Sequence, residues 1–366
     1  MPACQFSNRS GGRAIKLQEV GEFGLIELLA RELGPSVDDP RLIAGIGDDA
    51  MAWREGTEVL LATTDALVED VHFRLGTTSW QDLGWKALAV NLSDIAAMGG
   101  RPDYALVTLG LNERVQVEDA QALYRGIRAL AERTGCAVVG GDVVNSPHSV
   151  IIGVTVLGRT LRGPGGPLPP LLRSAAAVGD IVAVAGWLGA SAAGLWLLSH
   201  PEAQSRGKAP AQQQALRAHL RPEPLLVEAQ HLALAGVRAG MDVSDGLLAD
   251  LEKLCRASGV AARIDLDALP VQPAVRQAFG EQAVAWALSG GEDYALLVTL
   301  PPERFAAAAA GLAQAGLEPL QRIGNIHAGP PGEVAVAGLE DIGKDCTTWS
   351  QKGWDHFAVG ERGAQS

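Results

Sequence analysis

Four aspartates, Asp48, Asp49, Asp65 and Asp94, stand in GIGDDA (45–50), TTDALVEDVHF (63–73) and NLSDIAAMGG (91–100). Their neighbours are glycine, small or apolar, with few lysines or arginines close by. A carboxylate in such company is costly unless a cation meets it. GGD (140–142), DVSDG (242–246) and GGED (290–293) echo the pattern further along. Together these acids read as one divalent-metal site assembled from both halves of the chain. Mg²⁺ suits them, because it takes oxygen ligands, holds few protein carboxylates and completes its shell with water and substrate phosphates. So many acids in one cleft point to several ions and a heavily phosphorylated ligand, with Thr63 and Thr64 able to add hydroxyl ligands. The ordinary alternative is that Asp-Gly and Gly-Asp pairs are merely turns. It weakens at Asp65 and Asp94, which fall at a strand end and inside an apolar helix.

Other residues carry weaker signals. Gly140, Gly141 and Asp142 follow an apolar strand, where bare backbone N–H groups can approach phosphates. GWLGASAAG (186–194) fits the same role or simply tight helix–strand packing. The run from Gly338 to Lys344 matches GxxxxGK but is followed by Asp345 where Ser or Thr should bind the metal, so it is set aside. GxGxxG, GxSxG and HExxH are missing from the sequence. The seven histidines show no metal-ligand spacing. His72 lies inside the first acidic stretch, where it can meet a phosphate or be an ordinary histidine. Arg173 follows a Pro/Gly loop and can reach a phosphate or remain solvated. Trp354, in KGWDHF, can stack on a flat ring or pack, and Tyr124 offers the same choice with packing favoured.

These groups need elements to hold them. TEVLLATTDALV (57–68) reads as a strand whose alternation puts Thr63 and Asp65 on one face and Thr64 on the other. WQDLGWKALAVNLSDIAAMGG (80–100) reads as a helix closed by glycines, apolar on nearly every side, with Asp94 enclosed. A helix over 22–33, strands over 103–111, 136–142 and 149–159 and a helix over 117–135 complete an α/β domain ending near residue 160. RGPGGPLPP (162–170) reads as a loop or linker. A second α/β series follows: strand 180–186, helix 189–199, a polar stretch 201–214, helix 223–235, strand and acidic turn 239–246 and helix 247–258. Strand 260–265, helix 282–291, strand 294–300, helix 303–315 and strand 318–324 close it. The expected division is a loose extension (1–20), an N-terminal domain (21–160), a Pro/Gly segment (161–175), a C-terminal domain (176–346) and a tail (347–366).

Bulk properties narrow the function. The 366 residues favour two domains, and 47% hydrophobic with 20% charged residues argues for packed cores rather than disorder. A net charge of −12 disfavours nucleic acid or an anionic membrane as partner, so anionic ligands need metal ions. Cys4, Cys136, Cys255 and Cys346 form no CxxC, the start has no apolar signal core, and no run reaches the ~18 apolar residues of a membrane span. A cytoplasmic protein with reduced thiols is expected.

GIGDDA, TTDALVEDVHF, KALAVNLSDIAAMG, GGD, DVSDG, WALSGGEDY and KGWDHF, in this order and spacing, resemble bacterial thiamine-monophosphate kinases over about residues 20–358. That family belongs to a superfamily with aminoimidazole ribonucleotide synthetase and selenophosphate synthetase. The resemblance implies ATP- and Mg²⁺-dependent phosphorylation of thiamine monophosphate to thiamine diphosphate. It also implies two α/β domains, the N-terminal mixed-sheet domains pairing in a homodimer. Carried over residue by residue, Asp49, Thr63, Thr64, Asp65, Asp94, Asp142, Asp242 and Asp245 would hold Mg²⁺. Gly141, Asp142, Arg173, Ser244 and Tyr124 would contact ATP, and His72, Glu292 and Trp354 the thiamine substrate. Asp48 would only shape its turn. No acid–base or nucleophilic residue is implied.

Relatives in the superfamily fit less well. Selenophosphate synthetase would want a reactive Cys close to a Lys, and Cys4 and Lys16 are poorly arranged for that. A hydrogenase-maturation relative would want a C-terminal Cys, and this sequence ends GAQS. Aminoimidazole ribonucleotide synthetase stays as the runner-up, separated by His72, GGED and KGWDHF. A catalytically silent metal- or nucleotide-binding module is the reading from another class, and the intact set of acids argues against it.

Overall fold

Alternating burial along two long strands sets the first layer. In β3 (Glu58–Val68), Val59, Leu61, Thr63 and Leu67 are buried, and in β6 (Ile151–Thr160), Ile152, Val154 and Val156 are buried. The structure is a computed structural model that describes residues 16–33, 39–204 and 210–338. A helix, α1 (Leu17–Leu33), stands in a unit of its own and is interrupted at Gly21, whose φ is +71°. The described residues from Pro40 to Gly338 form one compact unit holding both sheets.

β1 (Leu42–Ala44), β2 (Met51–Glu55), β4 (Gly100–Leu111) and β5 (Ala137–Asn145) join β3 and β6 in the order β1-β2-β3-β6-β4-β5. Only the β4–β5 pairing is parallel. One face of this mixed sheet is covered by α2 (Trp80–Ala97), which packs on α3 (Val117–Thr134). That contact is very close: a Cβ on Gly84 would sit 1.9 Å from the Leu123 carbonyl oxygen, and one on Gly126 1.9 Å from that of Gln81. Hence glycine is required at both positions. Ser79 caps α2 by accepting from the Asp82 N–H. The opposite sheet face is open, with Tyr104, Leu106 and Leu157 exposed on it.

Residues 162–170 contain a small hairpin of β7 (Arg162–Gly163) and β8 (Gly166–Pro167). Beyond it Leu171 is fully buried, its N–H donating to the Met98 carbonyl, while the Leu172 N–H donates to that of Arg238. The segment is therefore stitched to both halves. The second series is β9 (Ile181–Ala185), α4 (Ala190–Ser199), α5 (Pro210–Leu220), α6 (Leu226–Leu234), β10 (Ala239–Asp242) and α7 (Leu247–Ser258). It continues through β11 (Ala261–Asp265), α8 (Pro273–Phe279), α9 (Glu281–Ser289), β12 (Leu296–Leu300), α10 (Pro302–Gln314), β13 (Leu320–His327) and β14 (Val334–Ala337). The strands order as β10-β12-β9-β13-β11-β14.

β9 is buried on both faces. Ile181, Ala183 and Ala185 join a core shared with α2, α6 and the first sheet, whereas Val182 and Val184 join a second core with α4, α7 and α9. Because α2 also packs on α6 and β10, the two halves share continuous apolar packing. The sequence pattern misses some elements. β1, β2, α8 and β14 are too short to show a period. α5 begins inside the polar 201–214 stretch because it buries little besides Ala215, Leu216 and His219. The strand expected from 294 begins at Leu296, since Tyr294 turns the backbone with φ +52°.

Candidate active site

β3 delivers its acidic end onto α2. The Thr63 hydroxyl donates to Asp94 Oδ2 at 2.5 Å. Two residues on, the Asp65 N–H donates to Asn91 Oδ1 at 2.9 Å, and Asn91 Nδ2 donates to the Ala87 carbonyl one turn back. Thr63 and Asp65 thus share the helix-facing side, as alternation predicts. Asp94 is half-buried rather than enclosed, because it faces Thr63, Asp49 and Asp242 instead of the apolar core. Its neighbour Ser93 donates to Asp242 Oδ2 at 2.6 Å, tying α2 to the end of β10.

Asp49 arrives from the turn before β2. One oxygen each from Asp49, Asp94 and Asp242 lie within 4.8 Å of one another. Burial, then repulsion from Asp65, Asp242 and Asp49, pushes the Asp94 carboxyl well above its usual range. Asp242 is raised by burial and then by Asp49. Asp48, pushed up to about 6 by burial and by Asp49, accepts from the Asp49 and Arg173 N–H groups and so holds the turn. Arg173 Nη2 lies 2.5 Å from Asp49 Oδ1. Burial opposes the charge on Arg173, yet Asp49 outweighs it and the guanidinium pKa is raised. A single guanidinium against this carboxylate group leaves excess negative charge in an all-oxygen donor set. That donor chemistry fits a hard divalent cation such as Mg²⁺.

The DVSDG turn after β10 is held from below. Asp250, fully buried in α7, accepts from the N–H groups of Ser244 and Asp245, both at 3.0 Å. Lys253 bridges Asp250 Oδ1 at 2.8 Å and Asp245 Oδ2 at 2.5 Å. Asp245 is therefore engaged by a lysine and stands outside the close group of acids. The GGED loop lies against this turn: Glu292 N–H donates to the Ser244 carbonyl and Tyr294 N–H to that of Val243. Gly291 permits the approach, since a Cβ there would be 2.6 Å from the Ser244 oxygen. Asp293 caps α4, accepting from Gly189 and Ser191 N–H groups.

Glu292 takes a left-handed backbone, φ +66°, and points back toward α2. Its carboxylate meets Lys86 Nζ at 2.7 Å and His219 Nδ1 at 3.3 Å. Burial acts to raise the Glu292 carboxyl, but Lys86, His219 and His72 together hold it below the usual range. His72 accepts the Val68 N–H at Nδ1, which leaves Nε2 to carry its hydrogen. Sequence reasoning missed Lys86, Asn91, Ser93, His219, Asp250 and Lys253. The one readable clue was Lys86, the single cation of a largely apolar helix.

Other expected residues lie elsewhere. Thr64 turns to the open sheet face, its hydroxyl 2.9 Å from that of Thr155. Asp142 occupies the register row of Thr108, Gly153 and Ala66, the parity that faces away from α2. It is exposed and lies outside the acid group formed within this chain. Gly141 precedes it, and a Cβ there would lie 1.8 Å from the Val107 carbonyl oxygen. Tyr124 is 40% exposed on α3, beside a cavity of 540 Å³ lined also by Arg128, Cys136 and Val138. Trp354 and the dismissed GxxxxGK segment beyond Gly338 lie outside the described residues.

Comparison with known proteins places the chain in a family. Family models described as AIR synthase related protein, N-terminal domain and C-terminal domain, match residues 47–160 and 177–337. Thiamine-monophosphate kinase of Aquifex aeolicus is 37% identical, covering 80% of this chain and 89% of that protein. The Salmonella typhimurium thiamine-monophosphate kinase is also 37% identical, over 93% of this chain and 99% of the relative. Among solved structures, AaThiL complexed with AMPPCP and TMP superposes with TM-score 0.78 at 34% identity, covering 94% of this chain and all of that one. On these findings the chain belongs to the thiamine-monophosphate kinase family.

Proposed function

We propose that this chain transfers the terminal phosphoryl group of ATP directly to thiamine monophosphate, giving thiamine diphosphate and ADP. The observation that carries the reading is the convergence of Asp49, Asp94 and Asp242 in a protein of net charge −12. Both substrates are anions, and such a site repels them until it holds cations. Asp49, Asp94 and Asp242 would hold Mg²⁺, with Thr63 and Asp65 beside them and Asp245 joining once it leaves Lys253. Bound there, Mg²⁺ neutralises phosphate oxygens and charge developing in the transfer.

The chain supplies position. Arg173 and Ser244 would meet the ATP phosphates, Arg173 exchanging Asp49 for phosphate oxygens. His72 Nε2–H would donate to the phosphate of thiamine monophosphate, and Glu292 would face its cationic thiazolium ring. A phosphate monoester has a second pKa of about 6, so its attacking oxygen is largely deprotonated near neutrality and needs no general base. The work of the protein is alignment of attacking and leaving oxygens.

The open face of the first sheet supports a homodimer. Tyr104, Leu106, Val144 and Leu157 expose apolar surface there, and Thr64 and Asp142 share that face. β5 lies three strands from β3, roughly 14 Å at normal strand spacing. A second copy against this face would cover the apolar patch and bring its own Gly141 and Asp142, with Tyr124 nearby, toward the nucleotide. The buried free thiols Cys136 and Cys255 suit a cytoplasmic enzyme, and among the described residues no helix is long and apolar enough to cross a membrane.

The test is a direct assay. Protein with ATP, Mg²⁺ and thiamine monophosphate should form thiamine diphosphate and ADP in equal amounts, and chelation should stop it. An untouched thiamine monophosphate, with another phosphorylated or ribonucleotide acceptor consumed instead, would favour the aminoimidazole ribonucleotide synthetase reading.

A further inference from the structure

Among the described residues Lys86 is the largest charged side chain that is buried, 2% exposed, on a helix whose other buried positions are mostly Leu, Ala, Val and Ile and include no second charge. An ammonium in that setting is costly unless it is paired well, and an apolar residue would serve packing at least equally. Its Nζ reaches across from the first half of the chain to Glu292 Oε1 at 2.7 Å. From another direction α5 inserts His219, whose Nδ1 lies 3.3 Å from Glu292 Oε2 and 3.1 Å from the buried Ser191 hydroxyl. Both carboxylate oxygens are thereby engaged, on a residue whose backbone is already in the left-handed region. Such a conformation persists only where surroundings over-determine it.

The helix carrying Lys86 is itself anchored at the adjacent residue. Trp85 Nε1 donates to the Pro222 carbonyl at 2.8 Å, and Arg133 lies over its ring at 4.8 Å. Arg133 and Arg217 both pair with Glu223, and Arg221 pairs with Asp82 of α2. Trp85 thus fixes the end of α5, two to three residues past His219, while Lys86 fixes Glu292. Consecutive side chains on α2 govern both partners of one carboxylate.

We propose that Lys86 and His219 are positioning residues that aim the Glu292 carboxylate at the cationic end of the thiamine substrate. The proposal rests on the substrate role given to Glu292 above. His219 is neutral, since burial, followed by Lys86, pushes its pKa down to about 4, and its ring, held by the Ser191 hydroxyl, sits against the second carboxylate oxygen. Lys86 keeps Glu292 ionised, so a carboxylate rather than a carboxylic acid faces the positively charged thiazolium. The ATP side is served by other residues and is untouched by this pair.

The experiment is a double-mutant cycle on the full chain, reading KM for thiamine monophosphate, KM for ATP and kcat. Lys86→Met and Glu292→Gln should each raise KM for thiamine monophosphate about tenfold or more, with KM for ATP little changed. The double variant should be no worse than Glu292→Gln alone, because Lys86 acts through Glu292. Effects that multiply, or that fall equally on both substrates, would overturn the proposal. A second series guards against misfolding of the lysine variant. His219→Asn keeps a hydrogen-bonding group at the Nδ1 position for Ser191 and Glu292 and should behave nearly as wild type, whereas His219→Leu should raise the same KM. Equal behaviour of Asn and Leu would also overturn it. An unchanged KM in Glu292→Gln, by contrast, would remove Glu292 itself from the substrate site.

Discussion

Asp94→Asn is expected to lower kcat on the order of 10³-fold, about 4 kcal/mol of lost charge stabilisation in the transfer. The same variant should melt higher than wild type when both are metal-free. Asp94 is held above its ordinary pKa first by burial and then by Asp65, Asp242 and Asp49. A carboxyl raised in this way loses the folded state stability as pH climbs through its folded pKa, so near neutrality its ionised form is a liability. Asn keeps the shape and an acceptor for the Thr63 hydroxyl while removing the repulsion. A rise in Tm of about 2 °C or more is expected by scanning calorimetry in chelator. Wild-type turnover in Asp94→Asn would remove it from the metal site, and a lower Tm would mean that its hydrogen bond to Thr63 outweighs the repulsion.

Mixed dimers of two inactive variants should recover activity. If Asp142 serves the neighbouring subunit's site, the Asp94 and Asp142 of each site lie on different chains. Random exchange makes half the dimers mixed, and each mixed dimer holds one site with both aspartates present, so about a quarter of wild-type activity should return. If both residues act within one chain, every site in the mixture carries a lesion and nothing returns. Sedimentation of the separate variants and the mixture gives the oligomeric state on which the result depends. Leu106→Glu on the open sheet face should produce monomers and abolish the recovery.

Much of the site was legible before any coordinates. Alternation along β3 placed Thr63 and Asp65 together and Thr64 apart, since a strand's period is unambiguous when one face is buried. The acids of GIGDDA and DVSDG announced themselves by lying at element ends among small residues. The remainder depended on packing that leaves no local period. Nothing in the neighbourhood of Lys86 names Glu292 or His219, which reach it from distant parts of the sequence. The side on which Asp142 falls is set by a register shift between Ala105 and Leu106, and such a shift cannot be read from alternation. Asp250 stands in the first turn of α7 with no local signal of a wider role, yet it holds two backbone N–H groups of the DVSDG turn.

The central claim is that acids from both halves of the chain surround a divalent cation so that two phosphorylated molecules can meet. The most direct measurement is anomalous diffraction from crystals grown with Mn²⁺ in place of Mg²⁺ and a non-hydrolysable ATP analogue. At least one strong peak is expected, bounded by Asp49, Asp94 and Asp242, with Arg173 turned from Asp49 to the nucleotide phosphates. Bound nucleotide with no peak among those carboxylates would contradict it.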